Sequence, residues 1–426
     1  MSEEKLVPKL RFPSYSSEWH SYTLGEILTF YSTNSFSREK LNYDTGSVKN
    51  IHYGDIHTKF PSIVSVSDNK DIPFINNEID LSKYSEDQYL QNGDLIIADA
   101  SEDYEDIGKA IEVKNIDDEK VLAGLHTILA RDNNNITVNG FKAYLFSTNS
   151  LKTKIKIIAN GISVLGISKN SLSKLTVNVP SKNEQNDVVD FISLIDNKIE
   201  LLEQKHQYYL DFKKFLMQQI FTQKLRFDDN CQYKTKQVKD FLIESKIEGI
   251  DDINKRLTVK LNLKGITVRE SKTIEIEGAT KQFIRKTGQF IYGKQNLHKG
   301  AFGIIPKELD GYLTSSDIPS FDFKGGIEPK WFYYYFARKS FYEKLENLST
   351  GTGSKRISPK EFLNIKIIVP EFKEQHKIVC LLEKFDEKIN GISNQIVQMN
   401  MFKKSLLQQM FVVQLILSLL QNKKHI

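Results

Sequence analysis

Apolar residues recur at every third or fourth position in two long stretches of the chain. The first stretch has them at Val188, Ile192, Ile195, Ile199, Leu202, Tyr209, Leu216 and Ile220. The second has them at Ile378, Leu382, Phe385, Ile389, Ile392, Ile396, Met399, Leu406 and Met410. Spacings that alternate between four and three are typical of the seam of a coiled coil. The pattern therefore predicts two long helices, with polar interruptions at His206, Lys213 and Lys403 that can fix the register of pairing.

The two predicted helices belong to an internal repeat. With a shift of 190 residues, matched pairs include Gly161 with Gly351, Val179-Pro180 with Val369-Pro370, Glu184-Gln185 with Glu374-Gln375, and Gln218-Gln219 with Gln408-Gln409. Upstream of these pairs the match between the two copies is weaker, but Gly93 still corresponds to Gly288. Because an isolated amphipathic helix is only marginally stable, each copy needs a surface to cover its seam. The other copy is the obvious partner; the alternative is that each helix packs on its own globular domain.

A globular stretch of mixed α and β character precedes each helix. Strand-like runs cover residues 94–98, 175–179, 290–292 and 365–369, and helical patterns cover 140–151 and 329–345. The segment 329–345 contains eight aromatic residues. We expect most of them to pack in a core rather than to stack on nucleic-acid bases.

The two globular stretches differ in charge. Residues 1–180 carry 19 Lys and Arg against 24 Asp and Glu, a net charge of −5, whereas residues 223–370 carry 27 against 18, a net charge of +9. Only the second stretch therefore has the electrostatic character expected of a phosphate-binding protein.

Several motifs together carry a family resemblance. They are Pro8-Lys-Leu-Arg-Phe-Pro13 with Trp19, Gly-Asp-Leu-Ile-Ile-Ala at 93–98, Gly-Ile-Ser at 166–168, Val-Pro-x-x-x-Glu-Gln at 179–185 and 369–375, and Lys-Lys-x-Leu-x-Gln-Gln-x-Phe at 213–221 and 403–411. In this order and with this duplication, the chain resembles the specificity subunit of a type I restriction-modification system from about residue 8 to 411.

The resemblance implies an α/β (α+β) architecture with two target recognition domains and a pseudo-two-fold internal repeat. Residues 1–180 and 223–370 are expected to form the domains, and residues 181–222 and 371–426 the spacer helices, the second with a C-terminal tail. The helices pair as an antiparallel coiled coil. Its expected contacts are Ile192, Ile195, Ile199, Leu202, Leu382, Phe385, Ile389 and Ile392.

The same resemblance implies function and partners. Subunits of this family read a split site on double-stranded DNA and bind two methyltransferase subunits and two restriction/translocase subunits. The partners bind S-adenosylmethionine and ATP with magnesium, so no cofactor, metal or catalytic residue is expected on this chain. We expect a cytoplasmic protein that does not contact a membrane. Its two distant cysteines, Cys231 and Cys380, agree with a reducing compartment.

Candidate DNA contacts lie in loops after strands, where Lys, Arg, Asn, Gln, His and Tyr side chains can reach bases or phosphates. In the second domain they are Lys264, Lys294, Gln295, Asn296, Lys299, Lys355 and Arg356. In the first domain they are Tyr53, His57, Lys59, Tyr104 and Lys109. Acidic residues crowd the same side of the first domain, namely Asp55, Glu102, Asp103, Glu105 and Asp106. Our hypothesis is that basic partner subunits supply much of the phosphate contact there.

Two other functions have weaker support. Glu112-Val-Lys114, with Asp94 and Asp99 upstream, resembles part of a metal-dependent nuclease centre, but the second half has no equivalent. A purely structural coiled-coil adaptor disagrees with the divergent globular halves.

Gly351-Thr-Gly-Ser-Lys355 lacks the spacing of a phosphate-binding loop. The apolar continuation from Val412 to Leu420 is too short for a membrane span; it could extend the coiled coil or cover a partner, and we favour no specific function.

Overall fold

The computed structural model describes residues 5–270, 278, 280–348, 356–411 and 413–416. The predicted contact Lys355, and the Gly351–Lys355 string that contains it, lie outside these residues. The chain divides into two compact units. Unit 1 comprises Met1–Leu202 and Gln395–Ile426, and unit 2 comprises Glu203–Asn394.

Two helices of 40 residues each, Lys182–Phe221 and Phe372–Phe411, dominate the fold. The first helix contributes its first half to unit 1 and its second half to unit 2, and the second helix does the reverse. Each unit therefore contains one half of each helix, and the two halves run antiparallel. The predicted seam is covered: Phe385 is half-buried, and the other expected contacts are at most 8% exposed.

Both interpretations of the helix seam are partly correct. Val188 and Ile192, near the start of the first helix, pack into the core of the first globular domain. Leu406, Met410 and Phe411, from the end of the second helix, join that same core. Each seam is thus covered by the helix's own domain and by the other helix.

Unit 1 is built on two mixed sheets. The larger has five strands, in the spatial order Thr29–Tyr31, Thr127–Arg131, Leu95–Ala98, Ala110–Lys114 and Ile63–Ser65. The smaller has four, in the order Val121–Ala123, Lys49–Ile51, Phe74–Ile75 and Leu41–Asn42. Short pairs join His20–Thr23 to Thr176–Val179 and Ala100–Ser101 to Leu165–Gly166. The short helices are Leu24–Ile27, Tyr53–Thr58, Phe141–Ser147, Asn149–Ile158 and Lys169–Ser173.

Unit 2 contains antiparallel sheets and an aromatic core. Its four-stranded sheet has the order Leu242–Ser245, Ser320–Phe323, Phe290–Tyr292 and Phe302–Ile304. A three-stranded sheet contains Glu248–Gly249, Gln282–Ile284 and Leu313–Ser315. Two-stranded pairs join Leu257–Val259 to Ile266–Val268 and Tyr233–Gln237 to Lys366–Pro370. The short helices are Pro329–Phe336, Lys339–Tyr342 and Pro359–Leu363.

Two predicted helices are interrupted. The segment 140–151 divides at Thr148, whose backbone is extended and whose hydroxyl caps the next helix by accepting from Leu151 N–H. The segment 329–345 divides between Phe336 and Lys339, where Arg338 is extended. The breaks leave the aromatic core intact: of its eight aromatic residues six are buried, and Tyr333 and Phe341 are half-buried.

The second long helix ends at Phe411, which packs against Trp19 and Phe141 at ring distances of 6.3 and 5.3 Å. The described residues beyond it, Val413–Ile416, form a strand and not a continuation of the helix. Val413–Ile416 instead pairs antiparallel with Lys5–Pro8 near the start of the chain.

A Lys–Asp–Tyr contact occurs once in each unit, where the halves of the two long helices meet. In unit 2, the ammonium group of Lys213 pairs with Asp386 and lies 4.8 Å from the ring centre of Tyr334, whose hydroxyl donates to Asp386 (2.6 Å). In unit 1, Lys403, Asp196 and Tyr144 repeat the arrangement. Two of the three polar interruptions of the seam, Lys213 and Lys403, are therefore paired across the helices.

Candidate nucleic-acid interface

Most of the predicted contacts in unit 2 converge on the exit of the strand Phe290–Tyr292. Backbone hydrogen bonds join the Lys264 turn to this exit, since Asn262 N–H donates to Lys299 C=O and Leu263 N–H to Gly300 C=O, both at 2.9 Å. The side chains of Lys264, Gln295 and Lys299 are exposed, and those of Lys294 and Asn296 are half-buried.

Arg356 joins the same surface. Lys294 N–H donates to Asp317 C=O (3.0 Å), and Ile357 N–H donates to Lys294 C=O (2.9 Å). The exposed guanidinium of Arg356 pairs with the Asp317 carboxylate at 2.9 Å. We call Lys294, Asp317 and Arg356 the strand-exit site of unit 2.

Unit 1 repeats this backbone arrangement with different side chains. Asp99 N–H donates to His126 C=O (3.1 Å), and Ile167 N–H donates to Asp99 C=O (2.9 Å). The Nδ1 atom of His126 lies 3.4 Å from the Asp99 carboxylate. Asp99 and His126, the strand-exit site of unit 1, thus occupy the places that Lys294 and Asp317 occupy in unit 2. The cationic Lys294 of unit 2 therefore corresponds to the anionic Asp99 of unit 1.

The strand entrances are also duplicated. Gly93 and Gly288 have φ angles of +88° and +84°, a conformation that a residue with a side chain rarely adopts. The following residues, Asp94 and Gln289, accept from the backbone N–H of Gln91 and Lys286 at 2.7 and 2.9 Å. A constant backbone frame therefore presents variable side chains at the strand exit.

An aromatic cluster adjoins the strand-exit site of unit 1. Tyr53 contacts the rings of His52, His57 and His126 at 4.7, 5.9 and 5.3 Å. Lys109 donates to the His57 carbonyl at 2.7 Å, so three of the predicted contacts lie together. Burial, together with the charge of Arg38, lowers the pKa of His52 to about 4, so this side chain is neutral near pH 7. Burial also raises the pKa of Asp99, and His126 opposes that shift.

The other two predicted contacts in unit 1 are engaged within the protein. Lys59 donates to the Tyr43 hydroxyl at 2.8 Å and pairs with Asp55 at 3.2 Å. Tyr104 is exposed, and its hydroxyl donates to the Lys156 carbonyl at 3.3 Å.

One expectation about the acidic residues is wrong. Asp55 does not face the contact side, because it is fully buried and accepts two hydrogen bonds from Arg38 at 2.7 and 2.9 Å. Part of the negative charge of the first domain is therefore neutralised inside the fold.

Asp99 and His126 were missing from the DNA contacts selected by sequence, where Asp99 was named only among the nuclease-like acids. The match of Gly93 with Gly288 could have found Asp99, because the same register brings it opposite Lys294. No comparable signal pointed to His126, which lies in a loop without a matched motif. Its φ of +54° is uncommon for a residue with a side chain and holds it at the strand exit.

Two of the residues that suggested a nuclease, Glu112 and Asp94, have structural roles. Glu112 is fully buried, accepts from Gly140 and Ala143 N–H at 2.7 and 3.0 Å, and pairs with buried Lys142 at 3.0 Å. Asp94 forms a buried ion pair with Arg131 at 2.7 Å. Among the described residues, no cluster of His, Cys, Asp and Glu could hold a metal ion. Over the same residues, no helix has both the length and the apolar character needed to cross a bilayer.

Comparison with known proteins supports the interpretation of the repeat. A family model described as the Type I restriction modification DNA specificity domain matches residues 16–208 and again residues 232–398. The specificity subunit of the type I restriction enzyme MjaVIII from Methanocaldococcus jannaschii is 34% identical over 140 residues. That match spans 32% of either chain, so the chain covers about a third of the length of this curated relative.

Two solved structures share the fold. The S subunit of a type I restriction-modification system from M. genitalium has a TM-score of 0.56 at 13% identity, over 96% of this chain and 99% of that one. A chain from a study of complex assembly and conformational transition in the type I R-M system has a TM-score of 0.53 at 13% identity, over 92% and 97%. These likenesses concern the fold alone, whereas the family model covers most of the sequence in two matching segments. The chain therefore belongs to the family of type I restriction-modification DNA specificity proteins.

Proposed function

We propose that this chain reads a bipartite DNA site for a type I restriction-modification complex, one half-site through each unit, and has no catalytic activity of its own. The observation that carries the proposal is the duplicated strand-exit site. The backbone hydrogen bonds around Asp99 and Lys294 are the same, whereas the side chains differ in charge. A conserved backbone arrangement with different side chains is what we expect of two surfaces that recognise different DNA sequences.

The chemistry of the two sites favours different bases. A carboxylate such as Asp99 can accept from cytosine N4, while Lys294 and Arg356 can donate to the O6 and N7 atoms of guanine. Tyr53 and His126 add flat polar rings to the first site. We therefore expect the two half-sites to differ in sequence, with no internal palindrome.

Partner binding is assigned to the long helices. In unit 2, the rings of Tyr208, Phe212 and Phe215 follow one another along the first helix at 6.0 and 6.5 Å. Their side chains are 63%, 37% and 53% exposed. Exposed aromatic residues in a row mark surfaces that bind other proteins. We assign this surface to a methyltransferase subunit.

Catalysis and its cofactors are assigned to the partners. Two methyltransferase subunits would bring S-adenosylmethionine, and two restriction/translocase subunits would bring ATP and magnesium. Glu112 and Asp94 are already held by buried ion pairs, which argues against a nuclease centre in this chain.

The test is to co-express the chain with its cognate methyltransferase subunit and to map methyladenine across the host genome. The expected result is a single motif with two unlike halves separated by a fixed spacer, with one methylated adenine in each half. A stable complex that methylates no motif would contradict the proposal and favour a structural adaptor. DNA cleavage by the purified chain with a divalent metal would favour a nuclease.

A further inference from the structure

Three lysines of the helix Asn149–Ile158 have different environments. Lys154 donates to the Thr176 carbonyl at 2.7 Å. Lys156 pairs with Glu105 at 2.5 Å and lies 5.5 Å from the ring centre of Tyr104. Lys152 is half-buried, and among the described residues it has neither a hydrogen bond nor an ion pair through its side chain. It is the lysine of this helix whose charge is left without a direct partner in the described structure.

Three other lysines and one aspartate act on the charge of Lys152. Apart from burial, the charges of Lys109, Lys156 and Lys404 all lower the pKa of Lys152, and only Asp106 opposes them. These lysines come from a strand entrance, a short helix and the second long helix, all in unit 1. The fold thus concentrates positive charge from three elements in a domain whose overall charge is negative.

This lysine surface is continuous with the aromatic cluster of unit 1. Lys109 donates to the His57 carbonyl at 2.7 Å, and His57 contacts Tyr53, which contacts His126 of the strand-exit site. A duplex whose bases are read at the strand-exit site would therefore extend its backbone past the lysines. Backbone phosphates would supply the anionic partner that Lys152 lacks among the described residues.

We propose that Lys109, Lys152, Lys156 and Lys404 form a surface that binds backbone phosphates of the DNA next to the first half-site, with Lys152 at its centre. This inference rests on the proposed function. It is an alternative to the hypothesis that basic partner subunits supply much of the phosphate contact of the first domain.

The experiment measures how salt affects DNA binding by the complex of this chain with its methyltransferase subunit. Each phosphate contact contributes about 0.9 to the slope of log affinity against log salt concentration. Lys152→Gln should reduce the slope by about one. When the salt concentration rises from about 50 to about 200 mM, the DNA affinity of both proteins falls. The factor by which it falls should be roughly threefold smaller for the variant than for the wild type. Cognate and unrelated duplexes should be affected alike, and the methylated motif should not change.

The chain offers matched controls. Lys154→Gln removes a lysine of the same helix that is bound to the Thr176 carbonyl, and it should leave the slope unchanged. Lys152→Arg keeps the charge and should restore the slope. Lys404→Gln should lower the slope as Lys152→Gln does, from a different element. Fluorescence of Trp19, which is buried in unit 1, reports in a Trp331→Phe background whether each variant chain is folded.

The outcomes separate this inference from the proposed function. An unchanged slope in both Lys152→Gln and Lys404→Gln, with an intact wild-type motif, would overturn the phosphate surface alone. A changed motif in Lys152→Gln would overturn it by assigning Lys152 to base reading. A wild-type complex with no motif would instead contradict the proposed function.

Discussion

At the scale of single residues, His52 makes the stability of the first domain depend on pH. Its ring caps the helix Tyr53–Thr58 by accepting from Gly54 N–H at 3.1 Å, and the side chain is 6% exposed. Since its pKa falls from an ordinary 6.5 to about 4 in the folded protein, a proton binds more tightly to the unfolded chain. The stabilising effect of a neutral His52 is therefore complete above about pH 6.5 and is lost as pH falls towards 4.

His52→Asn should remove this contribution. Asparagine can still cap the helix but does not titrate, so the free energy of unfolding of unit 1 should fall less between pH 6.5 and 4.5 than in the wild type. Urea unfolding followed by Trp19 fluorescence, in a Trp331→Phe background, measures the difference. Parallel pH profiles for the two proteins would show that His52 is not the titrating group.

The acidic residues show what charge counting alone misses. The sequence predicts correctly that the first domain is acidic, but it does not show which carboxylates are used inside the fold. Asp55, Asp94 and Glu112 are all at most 1% exposed and paired with cations. Arg38, Arg131 and Lys142, with which they pair, lie 17 to 37 residues away in sequence and are brought to them by the tertiary fold.

At the scale of elements, the Lys–Asp–Tyr contact should stabilise the pairing of the long helices. The side chain of Lys213 is 15% exposed and that of Asp386 is 40% exposed, so water compensates only in part for the removal of one partner. We expect Lys213→Met and Asp386→Asn each to lower the stability of unit 2 by about 1–3 kcal/mol. A double-mutant cycle should give a coupling energy of about 1 kcal/mol or more.

The cycle can be measured within one unit. A Trp19→Phe background leaves Trp331 as the only tryptophan, so its fluorescence follows the unfolding of unit 2 in urea. Lys214→Met, at the exposed neighbouring position, is the control and should have little effect. Strictly additive effects of Lys213→Met and Asp386→Asn would mean that the pair does not stabilise the helices.

The strand after the second helix gives a separate prediction. A variant that ends at Phe411 keeps the contacts with Trp19 and Phe141 but loses the pairing of Val413–Ile416 with Lys5–Pro8. Amide hydrogen exchange in residues 5–7 should become faster because their cross-strand partners are gone. The methylated motif should stay the same. Loss of methylation in a folded variant would show that this segment takes part in assembly.

The sequence was most informative about regular elements. Both long helices follow from their apolar spacing, because a forty-residue seam contains many repeats of the same signal. The interruptions at Thr148 and Arg338 were not predicted, since each depends on one or two residues adopting an extended backbone. The pairing of Val413–Ile416 with Lys5–Pro8 joins opposite ends of the chain, and no local pattern indicates it.

At the scale of the whole molecule, the repeat relates two sites of unlike chemistry. The duplication was visible in the helices and in the match of Gly93 with Gly288, but the sites between these anchors share little sequence. The common hydrogen bonds of Asp99 and Lys294 show that these residues are equivalent, in agreement with the register set by Gly93 and Gly288. Sequence reasoning therefore found the architecture. Of the residues that the structure groups at the strand exits, it selected Lys294 and Arg356 as DNA contacts but neither Asp99 nor His126.

The central claim is that the two strand-exit sites each read one half of the DNA target. Asp99→Ala and Lys294→Ala, each co-expressed with the methyltransferase subunit, test it in parallel through genome-wide maps of methyladenine. We predict that each variant relaxes or changes the sequence of one half-site, that the two affected halves are different, and that the spacer between them is unchanged. Changes in the same half, or wild-type motifs from both folded variants, would contradict the claim.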